Sequence, residues 1–283
     1  MRSLLPRPAI ALLLLCTAGA AMAHFESPPS AESLAAGVVP SPRGTVFLAP
    51  AQLAASESSR LAADPSHSFY FSRAAYGGGG WGRGRSWATD YPKADQQFLT
   101  VLRRLTKIDA FPDAHPIRLD GPEVRRFPFL YAVEVGYMSL SDAEVRGLRE
   151  YLLAGGFLVA DDFWGTSEWN NFARQMQRVF PEYPIVEMPM DHPIFSALYD
   201  IDEIIQVPNV GQGMAGGATH ERDGYQAHAR GIFDDRGRLM VIINWNTDLG
   251  DAWEWAEQER YPLRFSTYAY QMGANFIIYS MTH

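Results

Sequence analysis

The stretch GGFLVADDFWG, residues 155–165, decides the fold of this chain. Two glycines end a helical pattern, the apolar run 157–160 has the character of a buried strand, and two carboxylates, Asp161 and Asp162, follow it directly. This order is typical of a strand in an α/β sheet. Because successive strand residues face opposite sides, we expect one aspartate to face a cleft and the other to cap or orient its surroundings.

Strand and helix patterns alternate on both sides of this stretch. Apolar runs predict strands at 69–75, 116–119, 127–135, 157–160, 185–188 and 204–207. Helical spacing predicts helices at 92–107, 141–154, 167–180 and 266–281, with Asp90 as a cap of the first and a Ser141–Glu144 capping box on the second. A turn at 234–237 predicts a hairpin of 227–233 and 238–243. We therefore predict a mostly parallel sheet flanked by helices, with a late antiparallel hairpin.

The chain divides into three regions by composition. Residues 1–23 have a basic start, an apolar core and a small-residue cleavage pattern near Ala23 and His24, which predicts a signal peptide and a periplasmic or secreted protein. Residues 24–66 form a Ser-, Ala- and Pro-rich leader, largely flexible, with a possible short strand at 45–48. Residues 67–283 form a single α/β domain, and we expect no transmembrane anchor in the mature protein.

Charge and cysteine content exclude several classes of function. The chain has 24 Lys and Arg residues against 32 Asp and Glu residues, and signal removal takes away two arginines. An acidic exported protein has no electrostatic attraction to nucleic acid. The single cysteine, Cys16, lies in the signal, so the mature protein has no thiol for a disulfide, a nucleophile or a metal site.

Acids, amides and tryptophans follow the predicted strands. Because ligands of open α/β sheets bind beyond the carboxyl ends of the strands, these side chains are the candidate site. The candidates are Glu134, Asp161, Asp162, Trp164, Trp245, Asn246, Asp248, Asp251 and Trp81. All seven tryptophans lie in, or one turn beyond, the loops that follow predicted strands. Their rings suit stacking on sugars, while carboxylates and amides can bind hydroxyl groups. Alternatively, each ring covers an edge of the core.

Several segments together resemble the bacterial domain-of-unknown-function family numbered 4159. They are DYP at 90–92, LREYL at 148–152, GGFL at 155–158, DDFWG at 161–165, DHPIF at 191–195, YDIDE at 199–203, NTDLGD at 246–251 and MTH at 281–283. The resemblance implies a flavodoxin-like fold similar to class I glutamine amidotransferases, and no established reaction. In that superfamily a cysteine occupies the turn at which Asp162 stands here, or less favourably Asp161, so glutamine hydrolysis by a thiolate is excluded. Helix amides at this turn are expected to keep the carboxylate ionised.

Three functions fit these features. The first is a cell-envelope domain that binds a small polar ligand, best a glycan or polyol. The second is a hydrolase that uses the Asp161/Asp162 elbow, with Glu134 as a further candidate and with or without a divalent cation. The third is a protein that docks a partner through its aromatic rim. No cofactor is required by the sequence, although a divalent cation is possible.

Overall fold

The computed structural model describes residues 38–41, 44–47, 67–78 and 86–283. The predicted signal peptide, most of the leader and Trp81 lie outside these residues. Within the leader, β1 (Val38–Ser41) and β2 (Gly44–Phe47) form an antiparallel pair, and β2 overlaps the strand predicted at 45–48.

A seven-stranded mixed sheet forms the centre of the domain. Its strands are β3 (Ser72–Ala75), β4 (His115–Arg118), β5 (Phe129–Val133), β6 (Phe157–Asp161), β7 (Ile185–Glu187), β8 (His228–Phe233) and β9 (Leu239–Trp245), in the order β4-β3-β5-β6-β9-β8-β7. The pairs from β4 to β9 are parallel, while β8 runs antiparallel to both of its neighbours. The predicted α/β class with a late hairpin is confirmed.

The described residues form six α-helices beside this sheet. They are α1 (Lys93–Leu105), α2 (Asp142–Leu153), α3 (Gly165–Val179), α4 (Val210–Ala215), α5 (Leu249–Glu254) and α6 (Leu263–Thr282). Helices α1, α5 and α6 pack on one face of the sheet, and α2 and α3 pack on the other. Strand β5 supplies both cores, since Phe129, Tyr131 and Val133 join the first while Leu130 and Ala132 join the second. No helix of the described segments has the length and apolar character needed to cross a bilayer.

Local signals set the boundaries around β6. Ser141 Oγ accepts a hydrogen bond from Glu144 N at 3.3 Å, and the Glu144 carboxylate accepts one from Ser141 N at 2.7 Å, which confirms the predicted capping box. Gly155 adopts φ 112° just after α2, a conformation that is unfavourable for residues with a Cβ atom. Helix α2 therefore ends at Leu153, one residue before the predicted end, and β6 begins at Phe157.

Two predicted elements are wrong. The run 204–207 is not a strand, because Val207 bonds to the loop after β9: its N–H donates to Thr247 Oγ1 and its carbonyl accepts from Asp248 N, both at 3.0 Å. Asp90 does not cap α1 through its side chain; the N-cap is Pro92, which makes no side-chain cap bond. The Asp90 carboxyl group instead lines a pocket at the carboxyl ends of the strands.

Candidate functional site

Three neighbouring parallel strands are each followed by a non-glycine residue with a left-handed backbone. Glu134 after β5 has φ 53°, Asp162 after β6 has φ 51°, and Asn246 after β9 has φ 61°. Such residues cost about 1 kcal/mol or more each and are concentrated at functional sites. Backbone bonds continue the sheet through them: Glu134 N donates to Asp162 O, and Asn246 N to Phe163 O, both at 3.0 Å.

An open acidic pocket lies beyond these strand ends. It contains about 480 Å³ of empty space, part of it continuous with solvent. Its walls are formed by Thr89, Asp90, Glu134, Asp162, Trp164, Glu168, Asn209, Glu221, Arg222, Asp248 and Asp251. Seven of these residues carry carboxyl groups, and Arg222 is the one base. A wall of this composition attracts cations and repels anions.

The two adjacent aspartates divide their roles as the strand alternation predicted. Asp161 is fully buried, and its Oδ2 accepts hydrogen bonds from Tyr131 Oη at 2.7 Å, Leu249 N at 3.0 Å and Gly250 N at 3.3 Å. It thereby ties the first turn of α5 to the sheet. Asp162 faces the pocket, and its Oδ1 accepts from Trp164 Nε1 at 3.1 Å.

Burial raises the pKa of both carboxyl groups. The pKa of Asp161 rises to about 7, because desolvation outweighs the hydrogen bonds from Tyr131 and the two amides. The pKa of Asp162 rises well above its usual value, first through burial and then through the nearby carboxyl groups of Glu134 and Asp90. The expectation that helix amides keep Asp162 ionised is therefore wrong.

The amides at the start of α3 are bonded to other side chains. Trp164 N donates to Glu168 Oε2 at 2.6 Å, Gly165 N to Asn246 Oδ1 at 2.8 Å, and Thr166 N to Asp223 Oδ1 at 2.9 Å. Asp162 consequently lies beside this helix terminus without receiving its N–H groups. This is the physical reason that its negative charge is poorly stabilised.

Asp90, Asp248 and Asp251 form the part of the pocket best suited to a metal ion. One carboxylate oxygen from each lies within 4.8 Å of the others. Asp248 Oδ1 accepts from Asp251 N at 2.8 Å, and Asp251 Oδ2 accepts from Val210 N at 2.6 Å, so two of the side chains are fixed from behind. Asp90 Oδ2 is shielded from solvent and has no hydrogen-bond partner.

The electrostatics of this group favour a bound cation. Burial raises the pKa of Asp90 and of Asp248 well above the usual value, and neighbouring carboxyl groups raise each further. The largest such neighbour is Asp251 for Asp90 and Asp162 for Asp248. Oxygen ligands at this spacing suit Ca²⁺ or Mg²⁺. The group can therefore exist with bound protons or with a bound cation.

Arg222 and Glu168 form a closed pair at one side of the pocket. Their side chains make an ion pair, and Arg222 Nη2 also donates to Tyr137 Oη at 2.7 Å. Glu168 Oε2 accepts from the amide of Trp164, as described above. Because these groups satisfy one another, we assign them to the wall of the pocket and not to ligand binding.

Asn246 and Trp245 do not line the pocket. Both ends of the Asn246 amide are bonded, since Oδ1 accepts from Gly165 N and Nδ2 donates to Gln226 O at 2.7 Å. The Trp245 ring packs against Trp169 at 4.7 Å between centroids, and the Arg230 guanidinium lies 4.6 Å from it. Asn246 therefore stabilises the turn, and Trp245 belongs to a neighbouring aromatic surface.

The six tryptophans that the structure describes do not form a binding rim as a group. Trp87 and Trp253 are core residues with 2% and 1% exposure, and Trp253 packs on Phe98 and Tyr131 at 4.6 and 5.1 Å. Helices begin directly after several strands, so a tryptophan one turn later can point into the core. Of the predicted aromatic ligand contacts, Trp164 is the one that the described residues place in the pocket wall.

Sequence analysis predicted five of the residues that line the pocket and missed six. Glu134, Asp162, Trp164, Asp248 and Asp251 lie together as expected, while Asp161 supports them from behind. The missed residues are Thr89, Asp90, Glu168, Asn209, Glu221 and Arg222. Glu168 carried one usable signal, its place in the first turn after the elbow. Glu221 and Arg222 lie in an irregular loop, where no periodicity indicates direction.

Comparison with protein families agrees with the resemblance noted in the sequence. A model for a domain of unknown function, DUF4159, matches residues 71–281. The chain belongs to this family. No curated protein matches it. The matched range contains every described residue of the acidic pocket, so the pocket lies within the DUF4159 domain.

Proposed function

We propose that this DUF4159 protein is a ligand-binding domain of the cell envelope, in which a divalent cation in the acidic pocket binds a hydroxyl-rich ligand. The observation that carries the proposal is the approach of Asp90, Asp248 and Asp251 to within 4.8 Å, with Asp90 Oδ2 shielded and unpartnered. A cation would satisfy that oxygen and offset the repulsion among the three carboxylates.

The ligand class follows from the remaining wall. Ca²⁺ and Mg²⁺ accept more oxygen ligands than three carboxylates supply, and sugar or polyol hydroxyls can complete the coordination. Trp164 also lines the pocket, and Asp162 can hydrogen-bond a hydroxyl through Oδ2. An anionic ligand is disfavoured, because Arg222 is already paired with Glu168.

The same proposal includes export and a relation to the class I glutamine amidotransferase-like, flavodoxin-like folds. Asp162 occupies a strand–turn–helix junction between β6 and α3 with φ 51°, which supports the comparison with a nucleophile elbow. The signal-like residues 1–23 support export. In this view the elbow of an ancestral enzyme now presents a carboxyl group to a binding pocket.

Titration calorimetry with Mn²⁺, Mg²⁺ and Ca²⁺ tests the proposal. We expect the purified protein to bind at least one cation, and a concentration of one hundred times Kd to add about 2.7 kcal/mol of stability. Asp248→Asn keeps an oxygen able to cap α5 but removes a charge, so it should weaken binding at least tenfold. Asp113→Asn, at an exposed position, is the matched control and should bind like the parent.

Addition of neutral sugars and polyols then tests the second half. We expect a measurable heat of sugar or polyol binding when the cation is present. After the cation has been removed by a chelator, we expect no such heat. A protein that binds none of the three cations, or an Asp248→Asn variant that binds as tightly as the parent, would refute the cation site. Sugar binding that is indifferent to chelation would refute the bridging role of the cation.

A carboxylate-dependent hydrolase is the second candidate. It is favoured by the raised pKa of Asp162, whose second-largest cause is the carboxyl group of Glu134 in the same pocket. A protonated Asp162 could act as general acid while a second carboxylate acts as base. Turnover of nitrophenyl glycosides that disappears in Asp162→Asn would favour this candidate; slow turnover unchanged in that variant would exclude it.

A further inference from the structure

A buried arginine contacts the segment that leads into Asp90, a residue of the acidic pocket. Arg73, on β3, has no solvent exposure, and its Nε donates to Asp95 Oδ1 and Oδ2 at 3.0 and 3.1 Å. Asp95 belongs to the first turn of α1 and is equally buried. The pair thus joins the sheet to α1 in a region from which water is excluded, where breaking it is costly.

The same guanidinium also donates hydrogen bonds to the segment that precedes α1. Arg73 Nη1 donates to the carbonyl of Trp87 at 3.0 Å and to that of Thr89 at 2.6 Å. Thr89 is the residue immediately before Asp90, which has φ 60°. A left-handed aspartate persists where its surroundings hold the backbone, and these two bonds supply that restraint.

The restraint sets the direction of the Asp90 side chain. Asp90 Oδ2 lies 2.9 Å from the point where a Cβ would stand on Gly250, at the start of α5. That place is next to Asp248, the N-cap of α5, and to Asp251 in its first turn. Release of the Thr89 carbonyl would free the backbone of Asp90 and move this oxygen away from the other two carboxylates.

Charge adds to the geometry. The positively charged Arg73 guanidinium attracts the Asp90 carboxylate, and its Nη2 has no hydrogen-bond partner. The Arg73 Cζ atom lies 5.2 Å from the Tyr131 ring centroid and 5.9 Å from that of Tyr91. A lysine would retain the positive charge but could not make the forked contacts to a carboxylate and two carbonyls.

We infer that Arg73 is a positioning residue for the cation site: its bonds to Trp87 and Thr89 hold Asp90 against the first turn of α5, beside Asp248 and Asp251. Arg73 itself does not touch the ligand. The inference rests on the proposed cation site, and it goes beyond it by assigning affinity to a residue outside the pocket wall.

The test is the Mn²⁺ affinity of Arg73→Lys, measured by calorimetry well below its unfolding temperature. We expect at least a tenfold rise in Kd. In an Asp90→Asn background the same substitution should change Kd less than twofold, because its effect passes through Asp90. Leu148→Ala, in the core on the opposite face, is the control for instability: it should lower Tm without changing Kd.

The outcomes separate the two proposals. A parent protein that binds none of Mn²⁺, Mg²⁺ and Ca²⁺ refutes the proposed function, and this inference with it. Where the parent binds Mg²⁺ or Ca²⁺ instead of Mn²⁺, the same variants are measured with that ion. Binding by the parent together with an unchanged Kd in Arg73→Lys, or an equal loss in the Asp90→Asn background, refutes the positioning role alone. If Arg73→Lys does not fold, Asp95→Asn is used in the same cycle, with a threefold or greater rise in Kd expected and an unchanged Kd contradicting the role.

Discussion

Residues with a left-handed backbone occur near both ends of the parallel strands, but the residue types at the two ends differ. At the amino ends of β6 and β9, the left-handed positions are glycines, Gly155 at φ 112° and Gly237 at φ 77°. At the carboxyl ends, the residues that directly follow β5, β6 and β9 in this conformation are Glu134, Asp162 and Asn246. Glycine adopts these angles at little cost, whereas the polar residues carry strain. The amino ends of the strands therefore adopt these angles with little strain. The carboxyl ends retain strain, and their polar side chains include two that line the pocket, Glu134 and Asp162.

Buried titratable groups show the same contrast. His115, at the amino end of β4, lies among the rings of Tyr70 and Phe111 at 5.8 and 5.1 Å, and burial lowers its pKa to about 3. Asp161, at the carboxyl end of β6, has its pKa raised to about 7 by burial. Burial disfavours the charged form of both groups, and their effects on stability change with pH in opposite directions.

The largest expected effect is at Asp161. Asp161→Ala should lower the free energy of unfolding by about 3 to 5 kcal/mol, because it leaves Tyr131 Oη and two amides of α5 without an acceptor in the core. Urea denaturation measures this. Asp161→Asn retains one acceptor oxygen and should lose about half as much. A loss under 1 kcal/mol for alanine would show that Asp161 does not hold α5.

The buried, uncharged His115 should make the free energy of unfolding sensitive to acid. The folded pKa of about 3 lies below the unfolded value near 6.5, so stability from this site is complete above pH 6.5 and is lost as pH falls toward 3. Relative to the parent, His115→Phe should gain about 2 kcal/mol between pH 6.5 and pH 5. Denaturation curves at both pH values test this. Parallel pH profiles for the two proteins would contradict it.

At the amino end of β6, Gly155→Ala isolates backbone strain. No atom lies within 4 Å of the added Cβ, so the cost is conformational. We expect a loss of about 1 to 2 kcal/mol in thermal unfolding. Gly217→Ala, also without neighbours but with no positive φ, is the matched control and should change stability little. If the two substitutions lowered stability equally, the positive φ of Gly155 would not be the cause of the loss.

At the carboxyl end of β6, Asp162→Gly should cause the smallest change in stability, and this change should be an increase. Relief of the left-handed strain and of a buried carboxyl group should raise stability by about 1 kcal/mol, while cation or ligand affinity falls. Asp162→Ala keeps the Cβ and should gain less. A destabilised glycine variant would show that Asp162 supports the fold, and the contrast between the two strand ends would fail.

Much of the fold was predictable from local patterns. The capping box at Ser141 and Glu144, the glycines after α2 and the hairpin turn each act over a few residues, so their physical effect is visible in the sequence. The assignment of 204–207 failed because Thr247, remote in sequence, satisfies the Val207 amide. Tryptophans were misassigned because the start of a helix and a loop look alike after a strand.

Local sequence patterns were enough to predict the seven strands of the sheet, the helices α1, α2, α3 and α6, and the absence of a thiol after Cys16. They also predicted that Asp161 and Asp162 face different surroundings, but they did not predict α4 or α5. Tertiary structure alone decided that Asp90 joins Asp248 and Asp251. That meeting depends on a left-handed turn held by the buried Arg73 and on contacts between segments far apart in the chain. Neither local propensity nor periodicity encodes such contacts.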